Sequence, residues 1–263
     1  MKAMKKVALI TGASAGIGKE LAYIHAEKGG DLILVARRED KLQALKSDLE
    51  KTYQISVMTI DKDLSQIEAS QQVYDEVKNA GIDIDILINN AGFGSVGKFH
   101  ELDYQNQISM VNLNITALMA LTRLFLPDFV KRNSGNILNT SSTASFMPGP
   151  LQAVYFATKA FVTYFSNALS EELHDTKVTV TNLMPGATET EFGAISGMDK
   201  TEVFKTTATA RTVAEDGYKG MMNNEIDVIS GLTFSQKILM KMIPFMPKKK
   251  VLSMVRKMQT VNA

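Results

Sequence analysis

The chain has 263 residues, 45% of them hydrophobic and 22% charged, an ordinary globular composition with enough length to bury a sizeable core. A net charge of +1 gives no reason to expect nucleic acid or another polyanion as partner. The absence of cysteine excludes disulfides, thiolate metal sites and a cysteine nucleophile, and three scattered histidines argue against a metal-dependent mechanism.

In chain order, the apolar run Val7–Ile10 behind the basic N-terminus is too short for a signal-peptide core. It reads instead as the first of six buried strands, followed by Asp31–Val35, Ile55–Ile60, Ile84–Asn89, Asn136–Thr140 and Val178–Leu183, with Asp227–Ser230 a weaker seventh. Helix-period segments lie between them, near 16–28, 39–52, 65–79, 103–132, 152–174 and 211–222. The most apolar of these, Ile115–Leu126, is interrupted by Arg123 and lacks the unbroken length of a membrane span, so a soluble cytoplasmic protein is expected. The alternation predicts one α/β domain over residues 1–263, a doubly wound parallel sheet of about seven strands with helices on both faces.

Two regions depart from the alternation. Residues 186–210 are small, polar and glycine-containing, and are expected to form a substrate loop or lid. Residues 233–263 alternate Met, Ile and Phe with Lys, which predicts an amphipathic tail of one or two helices broken near Pro244 and Pro247. Lys248, Lys249 and Lys250 beside Phe245 also suit an anionic membrane surface. The reading favoured here is a helix packed over the substrate cleft or a partner subunit, without membrane association.

After the first strand comes Thr11-Gly12-Ala13-Ser14-Ala15-Gly16-Ile17-Gly18, and then a helix. Glycines there let the backbone turn sharply and approach a pyrophosphate, and the helix N-terminus offers free N–H groups to phosphates. A tight strand–helix turn with no ligand fits the same residues. At the end of the second strand, a site selective for NAD places Asp or Glu to bind the ribose hydroxyls, but this chain has Ala36-Arg37-Arg38. A guanidinium pairs with a 2′-phosphate, so NADP(H) is expected in preference to NAD(H), with Arg37 on the phosphate and Arg38 stacked on the adenine. The blander alternative is a solvated charge pair opening a helix.

Tyr155 and Lys159, four residues apart in a helical segment, fall on one face a turn apart. A nearby ammonium favours the phenolate and moves a tyrosine towards useful acid–base chemistry. That spacing is common on ordinary helices, so company decides. Ser142 follows the fifth strand and Asn89-Asn90-Ala91-Gly92 ends the fourth, both at the carboxyl edge of the sheet where ligands bind in such folds. Ser142 is positioned to donate a hydrogen bond to a substrate oxygen beside the phenol. Asn112 lies in a largely apolar helix, where a satisfied core amide is the plain alternative.

In their order, TGASAGIG, Asp63-Leu64, NNAG, Asn112, Ser142, Tyr155-x-x-x-Lys159 and Pro185-Gly186 give residues 5–195 a resemblance to the short-chain dehydrogenase/reductase family. The resemblance implies a Rossmann-type fold, with 5–195 as the cofactor and catalytic core and homodimers or homotetramers as the common assembly. It implies Tyr155 as general acid in reduction and base in oxidation, with Lys159 lowering its pKa and binding the nicotinamide ribose. Ser142 would orient the carbonyl, and Asn112 would hold a water linked to Lys159. Coenzyme contacts would come from Gly12, Ser14, Gly16, Ile17, Gly18, Asp63, Asn90, Ala91, Gly92, Pro185, Gly186, Thr188 and Thr190. Many NADP-using members carry a basic residue where this chain has Ala15, so dinucleotide selectivity rests on Arg37 and Arg38.

Two other classes stand beside this reading. Gly12-Ala13-Ser14-Ala15-Gly16 matches the G-x-S-x-G elbow of serine hydrolases, but it follows the very first strand and no glycine-rich oxyanion segment precedes it. A dinucleotide-binding sensor without chemistry would have no need of the four catalytic residues. Phe93, Phe146, Met147 and Leu151 suggest an apolar pocket for ketones, aldehydes or acyl chains, and no obvious anion clamp lies in 143–151 or 190–210.

Overall fold

The structure is a computed structural model that describes residues 5–260. The expected strands form with ends shifted by at most two residues: β1 (Val7–Thr11), β2 (Asp31–Ala36), β3 (Val57–Asp61), β4 (Ile86–Asn89), β5 (Gly135–Thr140), β6 (Val178–Pro185) and β7 (Asp227–Ser230). All pair in parallel in the order β3-β2-β1-β4-β5-β6-β7. The order reverses between β1 and β4, so the loops leaving their carboxyl ends diverge and open a crevice at that point.

Side chains alternate along each strand, which fills both layers. Ile10, Leu32 and Leu34 face α1 (Gly16–Glu27), α2 (Glu39–Tyr53) and α8 (Ala210–Met222), whose Leu21, Leu42, Leu49 and Met221 complete one core. Leu9, Ile33 and Val35 face α3 (Ala69–Asn79), α5 (Leu118–Arg132) and α6 (Ala153–Glu172) through Val73, Leu121, Phe125, Phe129 and Leu169. Burying a ring such as Phe125 stabilises the fold by about 1.5–3 kcal/mol.

Asp103 caps α4 (Tyr104–Val111) by accepting from the Asn106 N–H at 2.7 Å. A π-helical stretch, Asn112–Ala117, joins α4 to α5, so Tyr104–Arg132 runs as one 29-residue rod. By length and composition alone this rod is long and apolar enough to cross a membrane, contrary to expectation. Its Leu121, Phe125 and Phe129 stripe is instead spent against the sheet.

Residues 186–210 are more ordered than their composition suggests. Thr188–Glu189 pairs with Ala208–Thr209 as a short parallel ribbon, and α7 (Glu191–Ser196) lies between them with two 3₁₀ turns, Met198–Lys200 and Glu202–Lys205. Thr190 caps α7 and Gly197, at φ 74°, ends it, so the small polar residues serve as helix signals. The tail forms α9 (Phe234–Met242) and α10 (Lys248–Gln259), interrupted at Ile243–Phe245 as the prolines predict. Met240, Ile243, Val251 and Val255 join Tyr155 and Phe156 in a third apolar cluster at the carboxyl end of the sheet.

Candidate active site

A cleft of about 370 Å³ occupies the crevice. Every residue that the sequence suggests for coenzyme or catalysis lines it, except Gly18 and Asn112. Gly18 is buried in α1 directly behind the turn.

Gly12 (φ 68°) and Gly16 (φ 54°) hold left-handed backbone that side chains disfavour. A Cβ on Gly12 would also stand 2.9 Å from Ala91 Cα, and one on Gly16 2.9 Å from Thr190 Cγ2. Ala15 caps α1 with extended backbone and no side-chain hydrogen bond, leaving the first N–H groups for an anion. Thr11 Oγ1 accepts from the Asn90 and Ala91 N–H groups, each at 3.0 Å, and Asn90 Nδ2 donates to the Thr11 carbonyl at 3.0 Å. This lattice locks the end of β4 to the glycine turn. The cradle therefore fits a dinucleotide pyrophosphate. Asp63, at the cleft edge, accepts from both the backbone N–H and the hydroxyl of Ser65.

The two arginines have different surroundings. Arg37 is exposed and forms no ion pair among the described residues. Arg38 is anchored: it donates to Ser14 Oγ at 3.0 Å and pairs with Glu191 at 2.7 Å. Glu191, the first residue of α7, also pairs with Lys41 at 2.8 Å, and Lys41 and Arg38 together hold its carboxyl below the usual range. Sequence reasoning missed Glu191, because nothing in the chain places residue 191 beside residue 38.

Tyr155 and Lys159 are both buried and line the cleft from successive turns of α6. Burial pushes the Tyr155 phenol up to about 12, with Ser142 pulling it back. Burial, rather than Lys159, sets the direction of the phenol's shift. Lys159 Nζ donates to the Thr140 carbonyl at 2.8 Å and stands 5.9 Å from the Tyr155 ring centroid. Burial pulls its ammonium down from 10.5 to about 8. Both Ser141 and Ser142 border the cleft, but the Ser141 hydroxyl is committed to the Lys159 carbonyl at 2.8 Å, whereas Ser142 accepts from the Ala144 N–H.

Asn112 does not reach this group. It is partly buried, makes no side-chain hydrogen bond among the described residues, and does not border the cleft. Asn114, 1% exposed, takes the place expected of it. Its Oδ1 accepts from the Phe93 N–H at 3.1 Å, and its Nδ2 donates to the Phe93 carbonyl and to Thr158 Oγ1. A Cβ on Gly92 would stand 3.0 Å from Asn114 Oδ1 and 3.4 Å from Lys159 Nζ, so the two side chains flank one spot. The reason is helical phase: Asn114, Ala117, Leu121 and Phe125 follow at three- and four-residue steps on the buried face, and Asn112 is about half a turn away.

The remaining wall is apolar, with Phe93, Met147, Phe156 and Phe192 joined by Met240 from α9 and Val255 and Met258 from α10. Gln152, the residue capping α6, donates its side-chain amide to Gln259 and ties the end of α10 over the cleft, as the tail was expected to lie. Ser14 has no imidazole partner. His25 is buried against Tyr218 and the Lys6 carbonyl, while His100 and His174 are exposed. The hydrolase alternative thus lacks a base. Among the described residues, no group of three His, Asp or Glu could hold a metal.

Residues 6–200 match the family profile of short chain dehydrogenases. The chain is 37% identical over 195 residues to the NADP-dependent 3-hydroxy acid dehydrogenase of Schizosaccharomyces pombe, covering 72% of this chain and 74% of that one. It is 37% identical over 194 residues to the human very-long-chain 3-oxoacyl-CoA reductase, covering 72% of this chain and 61% of the relative. Among solved structures, the short-chain dehydrogenase of Sphingobium yanoikuyae in complex with NADPH superposes with a TM-score of 0.82 at 32% identity, covering 89% of this chain and 91% of the other. With its seven-stranded parallel sheet, glycine cradle and paired tyrosine and lysine, this chain is a member of the short-chain dehydrogenase/reductase family of oxidoreductases.

Proposed function

We propose that the protein moves a hydride between NADP(H), in preference to NAD(H), and a relatively apolar ketone, aldehyde or 3-oxoacyl-type carbonyl or the corresponding secondary alcohol. The observation that carries this reading is the buried Tyr155 phenol, one helical turn from the Lys159 amine in a cleft whose far wall is apolar. A bound nicotinamide supplies or accepts the hydride. Tyr155 holds the proton that goes to the carbonyl oxygen, and burial keeps that proton on the phenol at neutral pH. Ser142 donates a hydrogen bond to the same oxygen. Lys159 holds a positive charge beside the ring, and Asn114 fixes the Phe93 backbone and helix α6 around it. The names of the relatives support the substrate class: one acts on a 3-hydroxy acid and another on a 3-oxoacyl-CoA.

The reading is tested by NADPH oxidation over a panel of ketones, aldehydes and 3-oxoacyl thioesters, repeated with NADH. Faster turnover of apolar carbonyls with NADPH is expected. Tight NADPH binding with no turnover across the panel would leave a sensor in its place.

Two results bear on the finer assignments. Asn114→Ala is expected to lower kcat by about 10²-fold, because a positioning contact on the catalytic helix is lost, whereas Asn112→Ala stays near wild type. Equal effects would return the role to Asn112. The second concerns selectivity. Arg37→Ala/Arg38→Ala is expected to weaken NADPH binding at least about tenfold, the worth of a charge-assisted hydrogen bond, with NADH binding little changed. Glu191→Gln frees Arg38 from a half-exposed pair worth up to about 1 kcal/mol and should tighten NADPH two- to fivefold, about that energy. An unchanged NADPH to NADH ratio in the arginine variant would remove the selectivity claim.

A further inference from the structure

We propose that the outer face of α9 and the basic turn after it dock on an anionic membrane surface, against the expectation drawn from the sequence. Phe234, Ile238 and Met242 succeed one another at four-residue steps, so they share one face of α9. All three are exposed, Phe234 at 80%, and Phe245 in the next turn extends the stripe at 89%. The opposite face carries Met240 and Ile243, which are buried with Tyr155 and Phe156 over the cleft. The helix is therefore divided: its inner side closes the cleft, and its outer side presents an apolar stripe that no described residue covers. Isolated exposed apolar residues are ordinary, but an aligned stripe of four, two of them nearly bare aromatic rings, marks a contact surface.

Charge identifies the occupant. After Gly231 the chain carries seven of its 29 basic residues and none of its 28 acidic ones. Lys237 on α9 and Lys248, Lys249 and Lys250, three to five residues after Phe245, are exposed and enter no ion pair among the described residues. Exposed rings followed closely in the chain by unpaired ammonium groups suit the boundary between anionic headgroups and acyl chains, where an interfacial helix buries its apolar side and its lysines meet phosphates. A second copy of the chain is the poorer fit. A two-fold contact through this surface would set the same lysines against each other. Because Met240 on the inner side lines the cleft, docking would set the cleft wall at the lipid boundary, where long apolar carbonyls partition. That last step rests on the proposed function; the docking itself does not.

The test is flotation of the full chain with phosphatidylcholine vesicles, with and without phosphatidylserine. Wild type is expected to float at least tenfold more with the phosphatidylserine vesicles, and to lose this at high salt. Phe234→Ser/Phe245→Ser and, separately, Lys248→Gln/Lys249→Gln/Lys250→Gln should each abolish flotation. Both change only exposed residues, so melting temperature and NADPH binding should stay at wild-type values. Equal binding to neutral vesicles, flotation retained by both variants, or no flotation together with a dimer that the phenylalanine variant dissociates would each overturn the proposal. The readout needs no turnover, so an inactive protein that floats fails the proposed function alone.

Discussion

Tyr155→Phe is expected to lower kcat by about 10²–10⁴-fold, the range for losing a positioned general acid, while NADPH binding stays within about twofold. The substitution removes one oxygen and keeps the ring. That ring packs edge-on against Phe156 at 6.1 Å between centroids and tilts against Phe192 at 5.5 Å, contacts that phenylalanine preserves. Stability should therefore shift by no more than about 1 kcal/mol, the net worth of one hydrogen bond. No carboxylic acid stands ready in its place. The remaining carboxyl groups on the cleft, Asp63 and Glu191, are committed to Ser65 and to the Arg38–Lys41 pair at the arginine side. Single-turnover NADPH oxidation separates the outcomes. Loss of the chemical step with retained coenzyme affinity is the expected pattern, and a variant keeping a tenth of wild-type kcat would end the assignment.

The result depends on where charge and burial compete in the site. Burial dominates, and both key groups are pushed towards their neutral forms: Tyr155 up to about 12 and Lys159 down to about 8. Among the described residues, no other charged side chain bears on either group. Such a pair is placed for a ligand rather than for stability, because the phosphates of a dinucleotide would favour the charged lysine that burial disfavours.

Much of this was legible in the sequence because β-branched runs and glycine turns act locally. The strand Asp227–Ser230 forms with the bounds its residues suggest, and the carboxyl ends of β1, β4, β5 and β6 bring Gly12, Asn90, Ser142 and Pro185 to one crevice. What escaped depends on phase or on distance. Asn112 and Asn114 differ by two positions, and only alignment with Ala117, Leu121 and Phe125 distinguishes the buried face. A period count through that helix could have found Asn114. No local rule could pair Arg38 with Glu191, 153 positions later, or Gln152 with Gln259, because both depend on how separate segments settle over the finished sheet. The substrate segment misled for another reason. Its threonines and glycines read as loop, yet Thr190 and Gly197 are the start and stop of a short helix.

Lys159→Met offers the sharpest test of the burial argument, because activity and stability should move in opposite directions. Turnover is expected to fall by about 10²-fold or more, since the charge beside the phenol is lost. Stability at neutral pH should rise. Lowering a lysine from 10.5 to about 8 costs the folded state roughly 3 kcal/mol wherever the group is charged. Methionine removes that cost and gives up the bond from Nζ to the Thr140 carbonyl, which leaves an acceptor unmet at about 1–3 kcal/mol. The net gain of about 1 kcal/mol corresponds to a melting temperature higher by about 2–4 °C in a chain of this size. The pH dependence identifies the cause. The folded chain releases its lysine proton first, so between about pH 8 and 10.5 the unfolded chain binds more protons and wild-type stability climbs with pH relative to the variant. Above that window the burial cost is gone and only the lost hydrogen bond remains, so the variant becomes the less stable of the two. Melting curves of both proteins without coenzyme, taken from pH 7 to 10.5, should therefore cross. A variant less stable than wild type at every pH would show that the amine is held in the fold by more than its bond to Thr140.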